Sequence, residues 1–167
     1  MADAPNTSPG FIQTVGIIGV PIELTNQTCT PDNPGATPLV AYDPTADYAQ
    51  GNGALVEMVD IQLTGSTAGT TVLMFYRLTL ETSPKWRKAA QKAIATVAYS
   101  NIVELPSYKM SLKDILFPVP AGGAGTGLQQ FQGLRINSPS RAIQWGFALT
   151  VAAGTAPIIV TMYGGEY

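Results

Sequence analysis

Near its end the chain contains a long stretch without charge. None of the 24 residues between Arg141 and Glu166 is charged. The stretch is as long as the ~20 apolar residues that cross a bilayer as a helix, but Gln144, Gly154 and Pro157 interrupt it. Its second part is rich in β-branched and aromatic residues, which favour strands. The sequence therefore predicts two strands joined by a turn, at residues 142–151 and 157–163, and no membrane partner.

The composition indicates one domain whose surface is partly covered by protein. A chain of 167 residues fits a single domain, residues 1–167. Only 12% of the residues are charged, against about a quarter in an ordinary domain, while 46% are hydrophobic. This is too little charge to cover a monomer surface in the usual way. The net charge of −2 gives no electrostatic reason to bind nucleic acid.

The sequence contains few residues of the types that usually catalyse reactions or bind metals. Histidine is absent, which removes the commonest general base and the commonest metal ligand. Cys29 has no second cysteine to pair with and no histidine to activate it. We therefore expect no enzymatic activity, no cofactor and no bound metal. The N-terminus lacks the basic region of a secretory signal, so we expect a protein made in the cytoplasm and not secreted.

Alternation of apolar and polar residues predicts most of the strands. The clearest cases are residues 54–63 and 70–80, which we interpret as a β-hairpin across the turn at 64–69. Further strands are predicted at residues 11–24, 38–42, 101–105, 115–119 and 133–137. Pro21 would place the first of these on a sheet edge or at a bend. About eight short strands predict an all-β antiparallel sandwich or barrel.

Residues 86–98 fit either a helix or a strand. Apolar residues recur at helical spacing from Trp86 to Val97. The second half of the segment alternates and is β-branched, and its surroundings are β, so we favour a strand. The segment overlaps the basic cluster Lys85-Trp86-Arg87-Lys88. This cluster is typical of a charged edge strand or helix face. The alternative is nucleic-acid binding, in which Trp86 would stack on a base and its basic neighbours would hold phosphate.

Other candidate sites lack the patterns that their chemistry requires. Residues 122–127 are rich in glycine, but the Lys-Ser/Thr pair of a phosphate-binding loop does not follow. Three aspartates lie in adjoining loops: Asp32, Asp43 and Asp47. They are too few to form a calcium site, which needs about six to eight oxygen ligands. A carboxylate pair for glycoside hydrolysis would have to come from Glu57, Asp60 and Glu81. The alternating pattern instead predicts that these residues lie on the solvent-facing side of strands.

Four segments carry a resemblance to a known family. They are Val72-Leu73-Met74-Phe75-Tyr76-Arg77, residues 81–87 ending in Trp86-Arg87, Gly133-Leu134-Arg135-Ile136, and the ending Ile159-Val160-Thr161-Met162-Tyr163-Gly164-Gly165-Glu166-Tyr167. In this order they resemble small tailed-bacteriophage virion proteins with a jelly-roll-like β-sandwich. The resemblance covers roughly residues 54–167.

The resemblance implies a structural protein of the virion. The expected role is capsid decoration, or cement, in which the protein bridges neighbouring major capsid subunits; a tail, neck or baseplate component is the alternative. We expect a homo-oligomer, with a trimer as the specific guess, and an extended N-terminal arm at residues 1–12. The candidate assembly contacts are Phe11, Ile12, Trp86, Arg87, Gly123, Gly125 and Tyr167.

A carbohydrate-binding module remains a second interpretation. In such a module Trp86, Trp145 or a tyrosine would be exposed on one face of the sandwich and would stack on a sugar ring.

Overall fold

Every regular element that the structure describes is a strand. The computed structural model describes residues 14–43, 53–79, 81–99, 105–112, 116–117, 129–130, 134–137 and 143–166. The strands are β1 (Thr14–Leu24), β2 (Leu39–Tyr42), β3 (Gly53–Leu63), β4 (Thr70–Leu78), β5 (Arg87–Ile94), β6 (Ser107–Ser111), β7 (Leu116–Phe117), β8 (Gln129–Gln130), β9 (Leu134–Asn137), β10 (Ile143–Leu149) and β11 (Ile158–Glu166). Among these residues there is no helix that could cross a membrane.

Two antiparallel sheets form a sandwich. Sheet A has the order β1-β11-β3-β6, and β9 also pairs with β3; sheet B has the order β2-β10-β4-β5. The chain changes sheet at most connections, which is the pattern of the two Greek keys in a jelly roll. The short strands β7 and β8 pair separately. The predicted all-β, jelly-roll-like sandwich is confirmed.

The core lies between the two sheets and follows the alternation in the sequence. Sheet A contributes the inward positions of β3 and β11, and sheet B contributes those of β4 and β10. The central side chains are Val59, Ile61, Val160, Met162, Val72, Met74, Trp145, Phe147 and Leu149, each with at most 2% of its surface exposed. Residues two apart on a strand share a face, so this core follows directly from period-two patterning.

The predicted hairpin of residues 54–80 is wrong. Strand β3 lies in sheet A and β4 lies in sheet B, so the two strands do not pair. The connection between them is long enough to cross the ~10 Å that separates packed sheets. It is held by reciprocal backbone hydrogen bonds of 2.9 Å between Thr67 and Val97. The Thr64 hydroxyl also donates to the Pro157 carbonyl at 2.6 Å.

Most of the ambiguous segment of residues 86–98 forms a strand, as favoured; the strand is β5 (Arg87–Ile94), and residues 95–98, where the alternation was clearest, follow it. β5 pairs with β4 and is an edge strand of sheet B. Two strands were missed, β6 and the two-residue β8. β6 carries Tyr108 and Met110 toward the core between polar neighbours. It is too short and too polar to stand out, although its alternation is present. Residues 1–12 and 101–104, where an arm and part of a strand were predicted, lie outside the described residues.

Strand β1 ends one side of sheet A and is irregular at its middle. Its pairing with β11 shifts register between Ile18 and Ile22, around Pro21. The prediction that Pro21 lies on a sheet edge or at a bend is confirmed on both counts. Gly19 has a φ of +70° and passes directly against the Ala41 backbone of β2. This contact joins the edges of the two sheets.

Candidate assembly surfaces

One edge of the sandwich exposes large apolar side chains. It is formed by β1 of sheet A and β2 of sheet B, and we call it the apolar edge. Ile17 and Val20 on β1 are 50% and 56% exposed, and Leu39 on β2 is 39% exposed. Three of the five large exposed hydrophobic residues in the described part of the chain therefore lie on this edge.

The opposite edge is protected by charge. There, β5 of sheet B contains Arg87, Lys88 and Lys92, whereas β1 carries no charge from Thr14 to Ile22. Lysine on an edge strand prevents another chain from pairing with it. The bulge at Pro21 interrupts the apolar edge but leaves its side chains uncharged. The two edges therefore differ in what they can contact, and only the apolar edge gains from being covered.

The outer face of sheet A presents three rows of side chains across its strands. The first row contains Ile17, Tyr163 and Met58; the second contains Thr161, Asp60 and Lys109; the third contains Glu23, Ile159, Gln62 and Ser107. The first row is apolar apart from the tyrosine hydroxyl. The middle of the second row is closely surrounded, since Thr161 is 5% exposed and Asp60 is 8% exposed.

Charged groups of this outer face lie at opposite sides. Glu23 is on β1 at one edge, and Lys109 is on β6 at the other, and both are exposed. Neither forms an ion pair with another described residue. Asp60 accepts a hydrogen bond of 2.8 Å from Gln62 Nε2. The face thus combines an apolar row with two exposed charges that form no ion pair with another described residue.

The outer face of sheet B is covered and does not offer a comparable surface. Leu73, Phe75 and Ala148 point away from the main core, yet they are fully buried. They form a second apolar cluster with Trp86, and Cys29 packs against it. Burial raises the pKa of the Cys29 thiol, because the thiolate would lose solvation there. Cys29 is thus a packing residue with low thiolate character.

Trp86 belongs to this second cluster and is only 8% exposed. One face of its indole carries the Arg77 guanidinium, whose carbon lies 4.5 Å from the ring centroid, a cation–π geometry. Trp86, one of the candidate assembly contacts, therefore exposes little of its ring to solvent. Trp145 is 1% exposed in the main core. Neither tryptophan can serve as an exposed platform for a sugar; among the described aromatic residues Tyr99, which is 50% exposed, remains available.

A chain of polar side chains borders the covered face of sheet B. The Arg77 Nε donates a 2.5 Å hydrogen bond to Gln144 Oε1, and Gln144 Nε2 donates a 2.5 Å bond to Asp43 Oδ2. Gln144 is 7% exposed, so its amide bridges a cation and an anion away from bulk water. The arrangement fixes the Arg77 guanidinium over Trp86. It ties together β2, β4 and β10 at the end of sheet B.

Arg87 is the described candidate contact that lies on the surface. Its guanidinium forms two hydrogen bonds with Glu81, of 2.8 Å and 3.1 Å. The hydrogen bond to the Glu81 carboxylate raises the pKa of Arg87, so the side chain stays charged. The other candidate contacts lie outside the described residues; they are Phe11, Ile12, Gly123, Gly125 and Tyr167.

The acidic residues weighed from the sequence are separated by the fold. Glu57 and Asp60 lie on β3 of sheet A, whereas Glu81 follows β4 of sheet B and pairs with Arg87. Asp43 accepts a hydrogen bond from Gln144, and Asp47 lies outside the described residues. Within the described ranges no group of three or more Cys, Asp or Glu residues is placed to hold a metal ion.

Comparison of the chain with protein families, curated proteins and solved structures gives no match.

Proposed function

We propose that this chain is a non-enzymatic structural protein of a virus particle, with capsid decoration as its specific role. In that role it binds and bridges neighbouring major capsid subunits. The observation that carries the proposal is the contrast between the two edges of the sandwich. The apolar edge of β1 and β2 exposes Ile17, Val20 and Leu39. The β5 edge instead carries Arg87, Lys88 and Lys92, whose charges oppose pairing with another chain.

The physical argument is that an exposed apolar edge strand is unfavourable in an isolated protein. It offers unpaired backbone groups beside apolar side chains and so invites association. Covering it with a defined neighbour removes both liabilities. At ~25 cal/mol per Å² of apolar surface, a contact of even a few hundred Å² contributes several kcal/mol, and a particle repeats that contact many times. Jelly rolls occur in viral capsid proteins but also in lectins and cupins, so the fold alone does not choose among these roles.

Immunogold labelling of particles from the source lysate, with an antibody raised against this chain, tests the proposal. Gold spread over the heads supports capsid decoration. Gold at one vertex or along the tail assigns the protein to the neck, tail or baseplate instead. Unlabelled particles contradict the virion role and leave a glycan screen as the next experiment.

A matched pair of variants tests the apolar edge itself. Val20→Lys places a charge on the edge, whereas Val151→Lys changes an equally exposed valine in the connection between β10 and β11; the two valines are 56% and 54% exposed. We expect Val20→Lys to reduce incorporation into particles at least about tenfold, by loss of roughly 1.4 kcal/mol or more per contact. Val151→Lys should be incorporated as the unaltered chain is. Equal incorporation of both variants would contradict the use of this edge.

A further inference from the structure

We propose that the outer face of sheet A binds a second copy of this chain, with a two-fold axis running parallel to the strands between β11 and β3. The inference rests on the proposed assembly role, since it identifies the partner for one surface of the protein. It is carried by the order of strands in sheet A and by the side chains at matching positions on each side of the axis.

The central strands become self-complementary under this axis. The rotation places β11 of one copy over β3 of the other, at about the 10 Å separation of packed sheets. Tyr163 then faces Met58 of the partner copy, and the same pair is repeated by symmetry. Contacts between a methionine sulfur and an aromatic ring are favourable.

The outer strands supply complementary charge. The same rotation places β1 over β6 of the other copy, so Glu23 lies above the row that contains Ser107. Lys109 is the next residue on that face of β6, about 7 Å along the strand. The long side chains of Glu23 and Lys109 span this offset. Each pair forms twice, and it supplies counter-charges to two groups that have no ion pair among the described residues.

The area of the face sets the expected affinity. Four strands about 4.8 Å apart, crossed by three rows about 7 Å apart, give a footprint of roughly 400 Å² per copy. A standard stable interface buries about 800 Å² per partner. We therefore expect a dimer that dissociates in the micromolar range. A two-fold pair also differs in mass from the trimer expected from the resemblance to virion proteins.

Sedimentation velocity of the purified full chain, from about 1 to about 200 micromolar, tests the inference. Glu23→Lys and Lys109→Glu should each raise the dimer dissociation constant at least about tenfold, and the double variant should restore it to within about threefold. Lys88→Glu, an exposed lysine on sheet B, is the control and should leave the constant unchanged. Circular dichroism confirms that each variant is folded.

Restoration by the double variant separates a direct pair from a general effect of charge. A monomer at every concentration overturns the inference, as does a dimer or trimer that ignores both single reversals or is not restored by the double variant. Because this experiment uses the isolated protein, its failure is distinct from unlabelled particles in the immunogold experiment, which bears on the virion role alone.

Discussion

The indole of Trp86 lies directly against Gly146, so closely that a Cβ atom at Gly146 would approach the indole Cη2 to 2.9 Å. Glycine at this position of β10 lets the ring pack closely against the outer face of sheet B. The same ring carries Arg77 on its surface. The contact explains how a tryptophan just before an edge strand becomes part of the interior.

Gly146→Ala should therefore destabilise the protein by about 1–3 kcal/mol, because the ring must shift away from a methyl group that also lies close to the Leu39 carbonyl. Urea denaturation followed by tryptophan fluorescence measures the change. Gly16→Ala is the control, since a Cβ at Gly16 meets no atom within 4 Å. Equal stability of the two variants would show that Trp86 does not depend on Gly146.

Gly19→Ala should be more damaging than an alanine at another glycine of positive φ. Gly19 combines a φ of +70° with direct contact to the Ala41 carbonyl, whereas Gly35, at a φ of +55°, has open space around it. Both substitutions carry the left-handed cost of about 1–2 kcal/mol. Only Gly19→Ala adds the clash between the sheet edges, a further 1–3 kcal/mol or so. Thermal denaturation of the two variants isolates this second contribution, and a difference near zero would contradict it.

Gln144→Leu should cost about 2–3 kcal/mol. The change leaves the Arg77 guanidinium and the Asp43 carboxylate without the amide that bridges them in a buried position. Urea denaturation gives the change in the free energy of unfolding. Gln91→Leu, a glutamine on the exposed side of β5, is the matched control and should change the free energy by no more than about 0.5 kcal/mol.

Glu81→Gln should have a much smaller effect, below about 1 kcal/mol. The ion pair between Glu81 and Arg87 is solvent-exposed, with 31% and 41% of the side chains accessible. The loss should shrink further as salt is added, because screening already weakens the pair in the unaltered protein. Measuring the unfolding free energy at low and high salt checks this; a large, salt-independent loss would indicate a role beyond the ion pair.

Cys29 should react with iodoacetamide several-fold more slowly in the folded protein than in urea. Burial raises the pKa of its thiol, so less thiolate is present in the folded state at pH 8. The same shift means that the folded state holds this proton more tightly than the unfolded state does. Its contribution to stability is complete below the ordinary thiol pKa and falls as the pH rises through the raised value. As the single cysteine of the chain, Cys29 gives an unambiguous mass-spectrometric signal. Equal rates in both states would contradict the burial.

The secondary structure could be predicted because it depends on local patterning. Alternation predicted β3 almost to its ends and favoured a strand over a helix for β5. The β-branched and aromatic residues at 157–163 predicted β11, which continues three residues further. The sequence also placed Pro21 at an edge or bend. These outcomes need only the period of apolar residues and the restricted backbone of proline. Strand β6 carries the same signal over five residues, which was too short to be recognised beside its polar neighbours.

The candidate surfaces could not be predicted in the same way. Trp86 lies within a basic cluster, which is typical of a surface, yet the fold buries its ring against Gly146. The charges Glu23 and Lys109 are 86 positions apart in the sequence, and only the order of strands in sheet A places them on one face. Exposure depends on which strands are neighbours, and that information is not local.

The sequence by itself determined that this chain forms short antiparallel strands with one buried side, because side chains alternate along every strand. The tertiary structure decided which sheet each strand joins. The connection at residues 64–69 is long enough to close a hairpin or to cross to the other sheet, so local geometry permits both. Packing settles the choice: with β3 in sheet A and β4 in sheet B, both strands bury their apolar faces in a common core.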